Sequence, residues 1–267
     1  MPDVASAGGC KIHYEVEGDP SAPALLLLRG LGRSSRYWLG VREPLASRFR
    51  LVVPDNRGVG RSDAPGPPYT TAMMGRDAVR VLDHAGVSRA HVVGISLGGM
   101  IAQRLAIDHP SRVDRLVLGC TSAGGRAGPG ATAGATLALL VAATLPPARA
   151  ARRMAPFLLS RGFLERRPDV VDLWVEIATR EPVPRAGIAG QIAAALLHDA
   201  SRELQTIRAR TLIVTGDADR MIPPVRSWRL HAAIPGSRLE LLRGVGHDFP
   251  TEASEETVRL LVGFLLD

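Results

Sequence analysis

The sequence predicts an α/β fold, a mostly parallel sheet covered by helices on both faces, with a helical segment inserted between two of its strands. Three observations predict it. Short continuous apolar runs recur along the chain, as strands buried on both faces require. Stretches with apolar residues at helical spacing separate them. Between about Thr121 and Thr206 this rhythm stops, and alanine-rich, proline-broken segments show no strong strand signal.

The elements follow in order. "KIHYEVEG" (11–18) alternates, with Ile12, Tyr14 and Val16 on one face, and predicts a half-exposed antiparallel strand. "ALLLLRG" (24–30), "RLVVPD" (50–55), "AHVVG" (90–94), "RLVLGC" (115–120) and "TLIVTGD" (211–217) predict the buried strands, and "RLELL" (238–242) the last one. Helical spacing marks 70–85, 97–109 and 251–266, with Ile101, Leu105 and Ala106 on one face of the second. Residues 1–120 and 207–267 are expected to form the core, and 121–206 a helical cap, or lid. The insertion opens on the glycine-rich "AGGRAGPGATAGAT" and is interrupted by Pro146, Pro147, Pro156, Pro168, Pro182 and Pro184. At this place in the chain it is expected over the carboxyl edge of the sheet, where α/β folds bind ligands.

Composition narrows the partners. The chain has 267 residues, 46% hydrophobic and 22% charged, as a globular protein does. Its formal charge is +7, but Lys11 is the only lysine and the arginines are scattered. Arg152-Arg153 and Arg166-Arg167 lack the aromatic interleaving of a single-strand binder, so no nucleic-acid partner is expected. Cys10 and Cys120 have no C-x-x-C partner or neighbouring ligand set, and read as small buried hydrophobes rather than a metal centre. "MPDVASAGGC" lacks both a basic n-region and an apolar run, and 131–145 is too short and too rich in Ala, Thr and Gly for a membrane span. The expectation is a cytoplasmic protein with no membrane partner. Its oligomeric state is not readable.

One constellation carries chemistry. Gly94-Ile95-Ser96-Leu97-Gly98 is a G-x-S-x-G pattern that follows a buried strand and precedes a helix. A turn that sharp leaves no room for a Cβ two residues either side of the serine, and it displays the hydroxyl above the sheet. A serine needs a base, and there are seven histidines. His13 and His91 belong to strand edges, His84 and His109 to helix ends, His231 to a late helix and His198 to the insertion. His247 instead lies in "RGVGHDFP", on a glycine-rich loop between the last strand and the final helix, and is the expected base. Its carboxylate partner is expected just beyond the "TLIVTGD" strand. Asp219, further into the loop, is favoured over Asp217, and a loop-capping role is expected for the other. The Leu97 N–H and, from "LLLLRGLGRSS", the Leu31 N–H are the expected oxyanion donors.

These residues resemble the α/β-hydrolase superfamily, in particular its esterase and enol-lactonase-like members. The resemblance rests on "LLLLRGLGRSSRYW", "VVPDNRGVGRSDAP", "AHVVGISLGGMIAQRLAIDHPSRVDRLVLG", "TLIVTGDADRMIP" and "GVGHDFP". It implies Ser96 as nucleophile, Asp219 as acid, His247 as base, a structural turn at 55–62 and a helical cap. Two departures stand out. Arg29-Gly30 replaces the family's usual His-Gly, which predicts either a substrate carboxylate beside Arg29 or an arginine turned to solvent or paired with Asp55 or Glu43. Asp248 and Pro250 stand where relatives often carry apolar residues.

The function expected is a cofactor-free serine hydrolase that cleaves a small-molecule ester, lactone or thioester through an acyl-enzyme on Ser96. A serine at this turn argues against epoxide hydrolase and haloalkane dehalogenase chemistry, for which relatives use aspartate. A carbon–carbon bond hydrolase, a non-hydrolytic lyase, a perhydrolase and a hydrolase-like ligand receptor are the alternatives.

Overall fold

The computed structural model describes residues 3–5, 9–125 and 130–267. Residues 126–129, inside the glycine-rich opening of the predicted insertion, and 1, 2 and 6–8, within "MPDVASAGGC", lie outside the described residues. Among the described residues no helix is long and apolar enough to cross a membrane.

β1 (Asp3–Ala5), β2 (Lys11–Glu17), β3 (Ala24–Leu28), β4 (Arg50–Pro54), β5 (Ala90–Ile95), β6 (Val113–Gly119), β7 (Arg210–Gly216) and β8 (Arg238–Leu242) form one sheet. Its order is β1-β2-β4-β3-β5-β6-β7-β8, antiparallel at the first two pairings and parallel from β4 onward. The helices are α1 (Arg42–Ala46), α2 (Thr71–His84), α3 (Leu97–Asp108), α4 (Ala133–Ala142), α5 (Pro147–Leu158), α6 (Arg161–Arg166), α7 (Asp169–Arg180), α8 (Arg185–Leu197), α9 (Val225–Ala233), α10 (Phe249–Glu252) and α11 (Ser254–Leu266).

The apolar runs are strands with two buried faces. Leu26, Leu28, Val92, Leu116 and Leu118 pack with α2 and α3 through residues such as Val81 and Leu105. Their neighbours in sequence, Leu25, Leu27, Val93 and Val117, turn the other way, onto Leu45 of α1 and Leu261 and Phe264 of α11. Period-two alternation thus divides one apolar run between two cores.

Three expectations change. Val16 is 39% exposed although Ile12 and Tyr14, on the same face, are buried. The Tyr14 hydroxyl meets Nδ1 of His84, the last residue of α2, at 2.8 Å, so Val16 lies past the end of the covering helix. The single helix expected at 251–266 is two, α10 and α11, because Ala253 leaves the helical region (φ −131°, ψ 54°). β1, α1 and α9 were not distinguished by periodicity. They are short, of 3, 5 and 9 residues.

α4–α8 lie between β6 and β7 and hold small cores of their own. Tyr37 of the core joins Leu159, Phe163, Val170 and Trp174 in one, and Ala138, Ala142 and Met154 form another. The end of α8 is clasped to the sheet's helices by the buried His198. Its Nδ1 meets Thr71 Oγ1 of α2 at 2.9 Å and its Nε2 meets Gln103 Oε1 of α3 at 3.3 Å. Burial, with the nearby Arg104 cation, pulls its pKa from 6.5 down to about 4.

Between those two values the unfolded chain binds a proton that the folded chain refuses. Stability is therefore complete above about pH 6.5, falls as pH drops towards about 4, and levels off below that. The expected loss is about 3 kcal/mol at the level of one side chain. Urea unfolding at pH 7 and pH 4.5 measures it, and His198→Gln is expected to flatten the difference. An equally steep fall in the variant would assign the effect to other groups.

Candidate active site

The turn between β5 and α3 is built around two glycines and one strained serine, with a third glycine facing it from the loop after β3. A Cβ on Gly98 would stand 2.0 Å from the Leu28 carbonyl oxygen, and one on Gly94 would stand 2.3 Å from the Gly98 oxygen. Helix and strand meet so closely only because both side chains are missing. A Cβ on Gly30 would come within 3.1 Å of Ser96 Cβ and 3.6 Å of its Oγ, which puts the loop after β3 directly against the serine. Ser96 itself has φ 58° and ψ −122°, outside the regions an L-residue favours. It is held there by its own backbone. Its N–H donates to Gly119 O at 2.9 Å, and its carbonyl accepts from Gly99 N–H (2.9 Å) and Thr121 Oγ1 (2.8 Å). All six residues of β5 are buried, whereas Ser96 regains partial exposure.

The other sequence-predicted residues lie at the same carboxyl edge. β7 and β8 are neighbours, so the loops that follow them meet. His247 Nδ1 and Asp219 Oδ2 are 2.8 Å apart, and both side chains are buried. Asp219 Oδ1 accepts from the Met221 and Ile222 N–H groups at 2.8 and 2.9 Å, which fixes the carboxylate plane. Asp217 does something else: its Oδ1 accepts from Gly244 N–H at 2.6 Å and ties the β7 loop to the β8 turn. Leu97 is the first residue of α3, so its N–H has no acceptor within the helix. Leu31 follows the Gly30 that touches Ser96.

The loop carrying Leu31 is braced from two sides. Asn56 Nδ2 donates to Arg29 O at 3.0 Å, and Asp55 Oδ1 accepts from Ser35 N–H at 2.6 Å, so the 55–62 turn supports that loop. Gln191, fully buried on α8, accepts from Gly32 N–H at 2.8 Å and donates through Nε2 to Arg57 O, also at 2.8 Å. α8 can sit that low because of its glycines. A Cβ on Gly187 would be 2.0 Å from Gly58 O, and one on Gly190 would be 2.5 Å from the Tyr69 ring.

Arg29 is the correction. The expectation placed it against a substrate carboxylate, or paired with Asp55 or Glu43, or in solvent. It is 2% exposed, and its Nη2 donates to both carboxylate oxygens of Asp248 at 2.6 and 2.7 Å. Its Cζ stacks 4.9 Å from the Trp38 ring centroid. Arg29 and Asp248, the two residues singled out against the family's usual pattern, are thus each other's partners, a buried cation beside the carboxylate that neutralises it.

Cys120, read from the sequence as a small buried hydrophobe, is buried, and it lies beside the candidate site. It follows β6, the strand between β5 and β7, with φ 43°, and its Sγ lies within 4.8 Å of ligand atoms of Asp219 and His247. Burial and the Asp219 carboxylate push its thiol well above its ordinary value. It lies beside Asp219 as a thiol whose ionisation burial and that carboxylate both oppose.

Residues 23–253 match the family model of the α/β hydrolase fold. A Caulobacter vibrioides protein provisionally named as the carbamate hydrolase RutD is 32% identical over 259 residues, covering 95% of each chain. The crystal structure of a hydrolase from Pseudomonas aeruginosa superposes with a TM-score of 0.89 at 30% identity, over 99% of this chain and 97% of that one. The enol-lactonase of Burkholderia xenovorans superposes at 0.88 with 26% identity over the full length of both.

Proposed function

The chain belongs to the α/β-hydrolase fold family, and from that premise we propose that it is a serine hydrolase cleaving a carboxylic ester, lactone or thioester. One observation carries the reading. A strained serine stands free at the sheet's carboxyl edge, where a buried His247–Asp219 pair is already hydrogen-bonded. That pairing puts the proton on Nδ1 and leaves Nε2 as the lone-pair nitrogen that a base needs.

In this mechanism Nε2 of His247 takes the Ser96 proton as Oγ attacks the carbonyl carbon. The Leu31 and Leu97 N–H groups receive the oxyanion, and the α3 N-terminus adds its dipole. His247 then protonates the leaving alcohol, thiol or ring oxygen, and the acyl group stays on Ser96. Water, deprotonated by the same nitrogen, releases the acid and restores the serine. Asp219 holds the imidazole in that tautomer and stabilises the imidazolium. α4–α8 act as the cap over this edge and shape the acyl pocket, a role consistent with Gln191 reaching down to the Leu31 loop. The names of the relatives, carbamate hydrolase and enol-lactonase, both describe hydrolysis at a carbonyl carbon.

A fluorophosphonate probe tests the chemistry directly. A single covalent adduct is expected on Ser96 by peptide mass mapping, and none on Ser96→Ala. A folded wild-type chain that takes up no probe would overturn the proposal.

A further inference from the structure

On either side of His247 the backbone is fastened to the inserted helices. The loop itself contains Gly244 and Gly246 and has little stiffness of its own. After the histidine, the Asp248 N–H donates to Leu158 O at 2.8 Å, at the end of α5. Before it, the Gly246 N–H donates to Glu252 Oε2 at 3.1 Å. The same oxygen accepts from the Ser160 N–H at 2.9 Å, and Glu252 Oε1 accepts from Ser160 Oγ. Leu159 and Ser160 are the junction between α5 and α6. One carboxylate thus clamps the loop that carries His247 to that junction.

The two segments meet backbone to backbone. A Cβ on Gly246 would stand 2.7 Å from Ser160 N and 2.9 Å from the Leu159 carbonyl carbon. Glu252 Oε2 takes one N–H from each side of this seam, and Ser160 is buried, so removing the oxygen strands both donors. The acid's loop rests on the same helices. Thr132, which caps α4, donates from its N–H to Met221 O at 3.0 Å and from Oγ1 to Arg220 O at 3.1 Å. Arg220 Nη1 donates to Pro156 O of α5 at 3.3 Å. These two residues directly follow Asp219, and the Met221 N–H is one of the pair that fixes its carboxylate.

We propose that Glu252 is a positioning residue for His247. By clamping Gly246 to Ser160 it sets the orientation of the imidazole, so that the inserted helices, and not the sheet alone, hold the base in register with Asp219 and Ser96. This rests on the hydrolase reading above. Glu252 touches no reacting atom and acts only through the loop. A misaligned imidazole slows proton transfer and leaves substrate binding nearly untouched, so the loss falls on kcat.

The test is a short series on p-nitrophenyl butyrate. Glu252→Leu fills similar space but accepts no hydrogen bond. Its kcat is expected to fall roughly 100-fold with KM within about 3-fold. Glu252→Ala replaces it if the leucine variant does not fold. Glu252→Gln keeps an oxygen for the two N–H groups and turns its NH2 to Ser160 Oγ, so kcat is expected within about 3-fold of wild type. Ser160→Ala loosens the junction but leaves both N–H bonds to Oε2, and the same small change is expected. Orientation is read separately, from the Nδ1–H proton signal of the His247–Asp219 hydrogen bond in 15N-histidine-labelled protein. That signal is expected to shift or broaden in Glu252→Leu and to stay in Glu252→Gln. Equal losses of kcat in Ser160→Ala or Glu252→Gln, or a lost kcat with an unmoved signal, would overturn the proposal. A signal that moves in a protein whose Ser96 takes no fluorophosphonate would refute the chemistry and not the clamp. Labelled Ser96 with kcat and signal both unchanged in the leucine or alanine variant would do the reverse.

Discussion

Glycine in place of Ser96 is expected to end turnover and at the same time raise the melting temperature. On the proposed mechanism the substitution removes the nucleophile and with it the acyl-enzyme route, a fall of about a million-fold in kcat. The stability change comes from the backbone. At φ 58° and ψ −122° a residue with a Cβ stores roughly 1–3 kcal/mol, and glycine stores almost none. The unfolded chain with glycine is more disordered, which offsets about 0.5–1 kcal/mol of that relief. A net gain of about 1 kcal/mol remains, or roughly 2–4 °C for a chain of this size. The hydrogen bonds around Ser96 are made by its main chain to Gly119, Gly99 and Thr121, so glycine retains them. Ser96→Ala separates the two effects, because it loses the hydroxyl and keeps the strained Cβ. Calorimetry of all three proteins checks this, and a lower melting temperature for Ser96→Gly than for Ser96→Ala would refute the strain argument.

Asp219→Asn is expected to lower kcat about ten-thousand-fold with little loss of stability. The reason lies in what the side chain already accepts. Oδ1 takes hydrogen bonds from the Met221 and Ile222 N–H groups, so an asparagine must keep its oxygen there. Its NH2 group then faces His247 Nδ1, which becomes an acceptor and moves the ring proton to Nε2. An imidazole protonated on Nε2 cannot take the proton of Ser96. Asp217→Asn is the control. It faces Gly244 N–H and not the histidine, and kcat is expected to stay within about 3-fold. Steady-state kinetics at pH 7 to 8 with one activated ester distinguish the two. Similar losses from both substitutions would contradict the division of roles.

Much of this was legible in the residues, and the limits have a physical pattern. The parallel strands announced themselves because burial on both faces demands uninterrupted apolar runs, as in Leu25–Leu28. Ser96 was legible because steric crowding admits only glycine at 94 and 98. His247 and Asp219 were placed by the strands they follow. What could not be read were pairings between residues far apart in the chain. Arg29 was weighed against Asp55 and Glu43, whereas its partner Asp248 lies 219 positions away. Asp248 was itself noted as unusual, and linking two unusual residues was the signal that would have found the pair. Gln191 gave no such signal. A glutamine in an alanine-rich helix looks like a solvated residue until the fold brings Gly32 and Arg57 to it. Cys120 read as a small core hydrophobe, because nothing local records that β6 lies between the strands bearing the serine and the aspartate.

The Gln191 clasp bears on how such a protein can be rebuilt. One amide joins α8 to the loop that carries the Leu31 N–H. The two parts are consequently coupled mechanically. Exchanging 185–197 is expected to loosen that loop unless the glutamine and the two glycines beneath it are kept. For those who graft lids between related scaffolds, α8 belongs with the body of the protein rather than with the graft.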